Sequence, residues 1–261
     1  MMKDSKIGWT THSWNPWGWV CNKVSEGCKN CYMFAMAARF HKENPATRSP
    51  EWREQESARE LRSFRLGDVI FVNSMSDTYS ERVPDEYIER VHQTVQANHD
   101  KVFLLLTKRP ERALALADQL VWPKNLWVGT SVEMEKHIHR LDTLLQLPTR
   151  NFFVSAEPLL EALPSLYWYL QPNSTDGKCI EWVIVGGESG RNRRLFDKEW
   201  ARDIQWMCGE FETPFFFKQG SDAVSGQDRD LDGRTWDETP DWSKYVDDNP
   251  TQMMLSDIIP F

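Results

Sequence analysis

Short apolar runs rich in β-branched and aromatic residues recur along this chain: Val69–Val72 (VIFV), Val102–Leu106 (VFLLL), Leu126–Val128 (LWV), Phe152–Val154 (FFV), Trp182–Val185 (WVIV) and Phe215–Phe217 (FFF). A weaker run, Lys6–Thr10, stands near the start. Near-continuous runs of this length predict strands buried on both faces, hence a parallel sheet. The segments between them predict helices. Asp85–Ala97 follows Pro84, opens on an acidic turn and carries Ile88, Val91 and Val95 at helical spacing. Pro110–Leu120 is rich in Ala and Leu, Glu133–Leu147 repeats Ile138, Leu141, Leu144 and Leu145, and Lys198–Glu210 is a further candidate. This alternation predicts βαβ units in an α/β fold, either a barrel or a doubly wound sheet.

Polar residues follow each apolar run directly. Val72 leads to Asn73-Ser74-Met75-Ser76-Asp77, and Leu106 to Thr107-Lys108-Arg109. Val128 leads to Gly129-Thr130-Ser131 and then Glu133; Val154 leads to Ser155-Ala156-Glu157. Val185 leads to Gly186-Gly187-Glu188, and Phe217 to Lys218-Gln219-Gly220. In a parallel barrel these ends gather on one face, where substrates bind. Polar residues also simply mark strand ends, but recurring Lys, Arg and Glu at one end need partners or a ligand.

The chain has 261 residues, 40% hydrophobic and 27% charged, enough for one large core. No apolar run reaches the ~18 residues that span a bilayer, and no apolar stretch follows the Met1–Lys6 start, so the expectation is a cytoplasmic protein that makes no membrane contact. A net charge of −8 argues against generic phosphate-backbone binding, though a local basic cleft is compatible with it. Thirteen Trp residues supply core, and also stacking surface for planar ligands.

Of five cysteines, three crowd into one loop: Cys21, Cys28 and Cys31, just before the helix-forming Met33–Phe40. Soft thiolates select zinc or iron–sulfur clusters. A closed zinc site needs four ligands. Three thiolates on a [4Fe-4S] cluster leave one iron open, as in radical S-adenosylmethionine enzymes, where it takes the amino and carboxylate groups of the cofactor. Two alternatives stand beside this: zinc with His12 or His41 as fourth ligand, and three small buried side chains. Cys179 and Cys208 read as structural.

The run Trp14-Asn15-Pro16 … Cys21 … Gly27-Cys28-Lys29-Asn30-Cys31-Tyr32 resembles the opening of phage-associated three-cysteine-motif proteins of unknown function. The likeness continues through Phe71–Asp77, Leu106–Pro110, Ser155–Leu159, Val185–Gly190, Phe216–Gln219 and Leu231–Trp236, nearly the whole chain. The resemblance implies a divergent radical S-adenosylmethionine enzyme related to photoproduct lyases. It implies a partial parallel (β/α) barrel of about six to seven strands. Residues 1–220 would form that barrel, with the cluster loop at 12–32, and 221–261 an irregular extension packed on it. The chemistry implied is reductive cleavage of S-adenosylmethionine to a 5′-deoxyadenosyl radical, with an external electron donor. The substrate is unnamed, nucleic acid or nucleotide being the candidate class, in modification or repair. The alternative is a zinc-stabilised phage accessory binding protein.

In that superfamily a polar segment after the second strand holds the methionine amino group, which points to Asp77 or the Ser74 carbonyl; Asp77 is equally read as a helix cap. Arg109 is a candidate for the methionine carboxylate or a substrate phosphate, or for an ion pair with Glu157 or Glu133. Ser131 and Glu133 are candidates for the adenosine ribose, and Glu188 for a ribose hydroxyl. Gly186 and Gly187 would let backbone approach a ligand, or make a tight turn. Lys218 is a candidate for substrate charge. Tyr32 is expected beside the cluster or in ordinary core, and Trp14, Trp17 and Trp19 to shield the cluster or anchor its loop.

Overall fold

The computed structural model describes residues 7–40 and 42–247. Seven strands form one all-parallel sheet in chain order: β1 (His12–Trp14), β2 (Val69–Val72), β3 (Val102–Thr107), β4 (Leu126–Ser131), β5 (Phe152–Ala156), β6 (Trp182–Gly186) and β7 (Phe215–Gln219). Each pairs only with its sequence neighbours, so β1 and β7 remain edges and the sheet curls into a half-barrel. This is an α/β fold of the partial (β/α) barrel kind. All six strong apolar runs are strands. The weak run near the start is not: Lys6 lies outside the described residues, Gly8 takes φ +88°, and the edge strand begins at His12.

The helices are α1 (Tyr32–Arg39), α2 (Glu54–Ser63), α3 (Asp85–Ala97), α4 (Pro110–Ala115), α5 (His139–Leu144), α6 (Tyr167–Leu170) and α7 (Lys198–Glu210). Expected helices at Asp85–Ala97 and Lys198–Glu210 match α3 and α7. Pro110–Leu120 and Glu133–Leu147 each divide between an α-helix and a short 3-10 turn. The periodicity of α2, with only Ser57 and Leu61 buried, is too weak to announce it.

Strand residues alternate between two cores, because side chains of a strand point to opposite faces. Ile70, Val72, Phe103, Leu105, Val128, Phe152, Val154, Val183, Val185, Phe215 and Phe217 pack outward on helix residues such as Ile88, Val91, Leu141 and Ile204. Val69, Phe71, Val102, Leu104, Trp127, Phe153, Trp182, Ile184 and Phe216 point into the lumen. Trp9 fills the lumen from the open side; its ring lies 4.8 Å from Phe71, 6.3 Å from Phe153 and 5.9 Å from Trp182. Gly129 is required there, since a Cβ would stand 2.6 Å from the Phe153 ring.

After β7, the chain forms a small hairpin of β8 (Asp230–Leu231) and β9 (Arg234–Thr235). Trp236 and Glu238 then bond to the backbone of Phe217 and Phe215 along the exposed edge of β7. A 3-10 turn, Trp242–Tyr245, sets Trp242 and Tyr245 against Trp127 and Trp182, at ring distances of 5.0–5.4 Å, under the barrel floor. No helix among the described residues is long and apolar enough to cross a membrane.

Candidate metal centre

The parity that buries aromatic rings in the lumen places Lys108, Glu133, Glu157 and Glu188 just beyond the C-terminal ends of β3, β4, β5 and β6. The cysteine loop arches over this mouth, and strand-end side chains grip it at successive points. Arg109 Nη2 donates to Asn22 Oδ1 and O at 2.8 and 3.2 Å. Ser25 Oγ donates to Glu133 Oε1 at 2.5 Å. Gly27 lies directly on the Glu133 carboxylate, which a Cβ would strike. Asn30 Nδ2 donates to Glu188 Oε2 at 2.9 Å. Tyr32 OH donates to the Ser74 carbonyl, and Asn15 Nδ2 to Ser74 Oγ at 3.2 Å.

The ring charges are also paired among themselves. Asp77 is saturated: Oδ1 accepts from Tyr79 N (3.0 Å) and Thr107 Oγ1 (2.8 Å), and Oδ2 from Lys108 N (3.1 Å) and Arg109 Nη1 (2.8 Å). It is therefore not the cap of α3, which begins eight residues later at Asp85. Arg109 finds Asp77 and Glu81, at 3.1 Å, and neither Glu133 nor Glu157. The reason is position: Glu133, fully buried, is already shared by Lys108 and Arg140. Glu157 pairs with Lys218 at 3.0 Å, and Glu188 with Arg194. The Ser131 carbonyl accepts from Arg140 Nη1 at 2.7 Å. Gly186 and Gly187 make room for protein groups: a Cβ on Gly186 would meet Glu157 Oε1, and one on Gly187 would stand 2.8 Å from the Gly220 carbonyl.

Burial raises the Cys21 thiol to about 12, helped by the negative charge of Asp77 and opposed by Arg109. Cys28 is also partly desolvated, but the Lys108 ammonium and nearby hydrogen-bond donors outweigh that and hold it below the ordinary thiol range. Cys31, at the start of α1, is raised by burial against the lowering effect of the Met33 and Phe34 N–H groups. Cys28 and Cys31 each push Cys21 upward, so the three sulfurs share one electrostatic neighbourhood. All five cysteines are free thiols.

Among the described residues, no group of three or more His, Cys, Asp or Glu side chains converges in metal-holding geometry. The donor chemistry nonetheless suits a soft metal group. Three half-buried thiols lie on one loop, and Lys108 and Arg109 lie beside them to offset the charge of thiolates. His12, a candidate fourth ligand for zinc, instead contacts Asp68 at 3.1 Å and stacks on Phe64, at the start of β1 and away from the mouth. His41 lies outside the described residues. Trp14 and Trp17 are buried behind the loop, bonded to Ser57 and Ser76.

Sequence reasoning misses the loop's own polar contacts, Asn22, Ser25 and Asn30, and the outer partners Arg140 and Arg194. The available signal is the placement of Asn22, Ser25 and Asn30 among the cysteines. Within the expected Asn73–Asp77 segment, the buried polar atom left without a partner is Asn73 Oδ1, at the end of β2, rather than a carboxylate oxygen of Asp77. No curated protein and no solved structure matches the chain. A family profile matches residues 4–240, and the chain belongs to that family, described as protein of unknown function DUF5131.

Proposed function

We propose that this protein is an iron–sulfur enzyme of the radical S-adenosylmethionine type, in which Cys21, Cys28 and Cys31 hold a [4Fe-4S] cluster. The observation that carries this reading is a loop of three thiols clamped across the C-terminal mouth of a parallel half-barrel. When bound, such a cluster supplies the electron that cleaves the sulfonium of S-adenosylmethionine. The chain's own residues do the rest. Glu133, Glu188, Asn22 and Tyr32 fix the loop relative to the strand ends. Lys108 and Arg109 offset thiolate charge. Trp14 and Trp17 exclude water from behind the loop. Asp77 is saturated by protein donors and holds the strand ends together rather than offering a free acceptor. Free thiols throughout fit a reducing compartment, the cytoplasm, where a one-electron donor protein is at hand.

Oxygen-free purification, reconstitution with iron and sulfide, and electron paramagnetic resonance test this. The expected result is a reduced four-iron signal that shifts on adding S-adenosylmethionine and is lost in Cys31→Ala. Colourless, zinc-loaded protein with no such signal would overturn it in favour of a zinc-stabilised binding protein.

A further inference from the structure

With a net charge of −8 the molecule as a whole repels polyanions. One lip of the mouth has the opposite sign. Lys23 and Lys29 on the cysteine loop, and Arg191 and Arg193 on the segment after β6, are all exposed. The two segments are joined: Asn30 Nδ2 donates to the Asn192 carbonyl at 2.8 Å, and Arg194 Nη2 to the Glu26 carbonyl at 2.9 Å. Lys23 donates to the Lys29 carbonyl at 2.9 Å and lies over the Phe34 ring, and Arg193 donates to the Gly190 carbonyl at 3.1 Å. None of the four cations has an acidic partner among the described residues, whose ion pairs involve other side chains.

Of the acids nearby, all but Asp222 are paired with cations among the described residues, so one unpaired carboxylate stands against the four unpaired cations. Glu26 pairs with Lys136 and His137, Glu133 with Lys108 and Arg140, Glu157 with Lys218, and Glu188 with Arg194. Asp222, whose carbonyl accepts from Gly190 N, turns a carboxylate oxygen to Val224 N. The surplus charge on this lip is therefore positive. Beside it, Tyr32, Met36 and Phe40 recur every fourth residue on the exposed face of α1 and just past its end, and Leu195 is 93% exposed. Residues four apart on a helix form a continuous stripe.

Spread cations with no converging pocket suit a chain of phosphates better than one small anion, because each exposed contact adds a modest term. Aromatic and apolar side chains beside a cationic track suit unpaired bases. The thiols lie half-buried below the lip, where an atom inside a stacked duplex does not reach. We propose that this lip binds single-stranded nucleic acid, with phosphates along Lys23, Lys29, Arg191 and Arg193 and a base over Tyr32 toward the thiols. The binding stands on the surface alone; what happens to the base rests on the function proposed above.

Fluorescence anisotropy tests it, with the full chain and a fluorescein-labelled single strand of about 15 nucleotides, as DNA and as RNA, between about 50 and 200 mM salt. Arg191→Ala/Arg193→Ala and Lys23→Ala/Lys29→Ala should each weaken binding about tenfold and reduce the log–log salt slope by about 1.4. Arg62→Ala/Arg65→Ala, an equal charge change at exposed sites on α2 and just after it, should stay within about twofold. Thermal melting checks that each variant folds. The stronger of the DNA and RNA arms names the sugar. No binding of either strand at low salt, equal binding of the matching duplex, or an equal slope change in the α2 control would overturn the proposal. Resonance spectra of the same preparation keep the two readings apart. A cofactor-shifted signal without strand binding removes the nucleic-acid track alone, and strand binding by zinc-loaded protein removes the iron–sulfur reading alone.

Discussion

The floor and the mouth of this half-barrel are built by the same strands, four to six residues apart, and obey opposite rules. On the floor, Trp127, Phe153, Trp182 and Phe216 meet Trp9, Trp242 and Tyr245 in an almost purely apolar contact. It even leaves the buried indole N–H groups of Trp9 and Trp127 without acceptors, each a cost of about 1–3 kcal/mol set against a large aromatic area. At the mouth the same inward parity delivers Lys108, Glu133, Glu157 and Glu188, and nearly every polar atom has a partner. The floor gains stability from area. The mouth gains geometry from pairing, since buried charges are tolerable only when paired and are poor sources of net stability. The floor holds the fold together, and the mouth fixes the position of the cysteine loop.

The largest effect that would break this division belongs to the floor. Trp182→Ala should cost about 4 kcal/mol by opening a cavity among rings, read as a lower urea midpoint. A mouth substitution that equals it through packing alone would undo the contrast. Next comes Arg109→Met, which leaves the buried Asp77 carboxylate with neutral donors and should cost about 3 kcal/mol. The double variant Asp77→Asn/Arg109→Met should recover much of that loss; strict additivity of the two single changes would show that the pair does not act as a unit.

Acid sharpens the comparison further, because the lumen-facing floor residues are all apolar. Buried His92, held between Tyr79 OH and the Val121 carbonyl at 2.8 and 2.7 Å, is depressed from 6.5 to about 4, chiefly by burial. Its folded pKa lies below the unfolded one, so its stability is full above pH 6.5 and lost as pH falls toward 4. The loss is roughly 3 kcal/mol. Glu133 and Glu188 are also depressed; burial opposes this, while the Lys108 and Arg140 charges for Glu133, and Arg194 and Asn30 for Glu188, outweigh it. Their stability is present above the ordinary carboxylate range and is lost below it. Urea midpoints against pH should therefore fall in two stages, and His92→Phe should flatten only the upper one. A single stage in the wild type would contradict this. The smallest effect is Gly27→Ala, where a Cβ presses on Glu133. It should cost about 1 kcal/mol while displacing the cysteine loop, so metal content per chain should fall much more than stability. Unchanged metal content would mean that Glu133 does not position the thiols.

Much of the fold is legible in the order of residues alone. Each of the six strong apolar runs is a strand, since a fully buried parallel strand needs side chains that suit both faces. The edge strand His12–Trp14 is not legible, being three residues long and carrying a polar His-Ser pair. The elements α4 and α5 read as longer helices because their apolar spacing continues through 3-10 turns of similar period. For the site, the cysteines and the polar ring are legible as residue types. Their partners are not: sequence reasoning matches Arg109 with Glu133 or Glu157, whereas the fold gives it Asp77 and Glu81.

The sequence by itself determined where six of the seven sheet strands lie and that three thiols share a loop before the first helix. These are local properties, written in continuous apolar runs, a period of 3.6 and the spacing of reactive side chains. Only the tertiary structure decided what the polar ring holds. Ser25 reaches Glu133 across 108 positions and Asn30 reaches Glu188 across 158, because the sheet curls until the ends of β2, β3, β4 and β6 surround a loop from the N-terminal side. Pairing of that kind depends on the curl of the whole sheet, which no local pattern records.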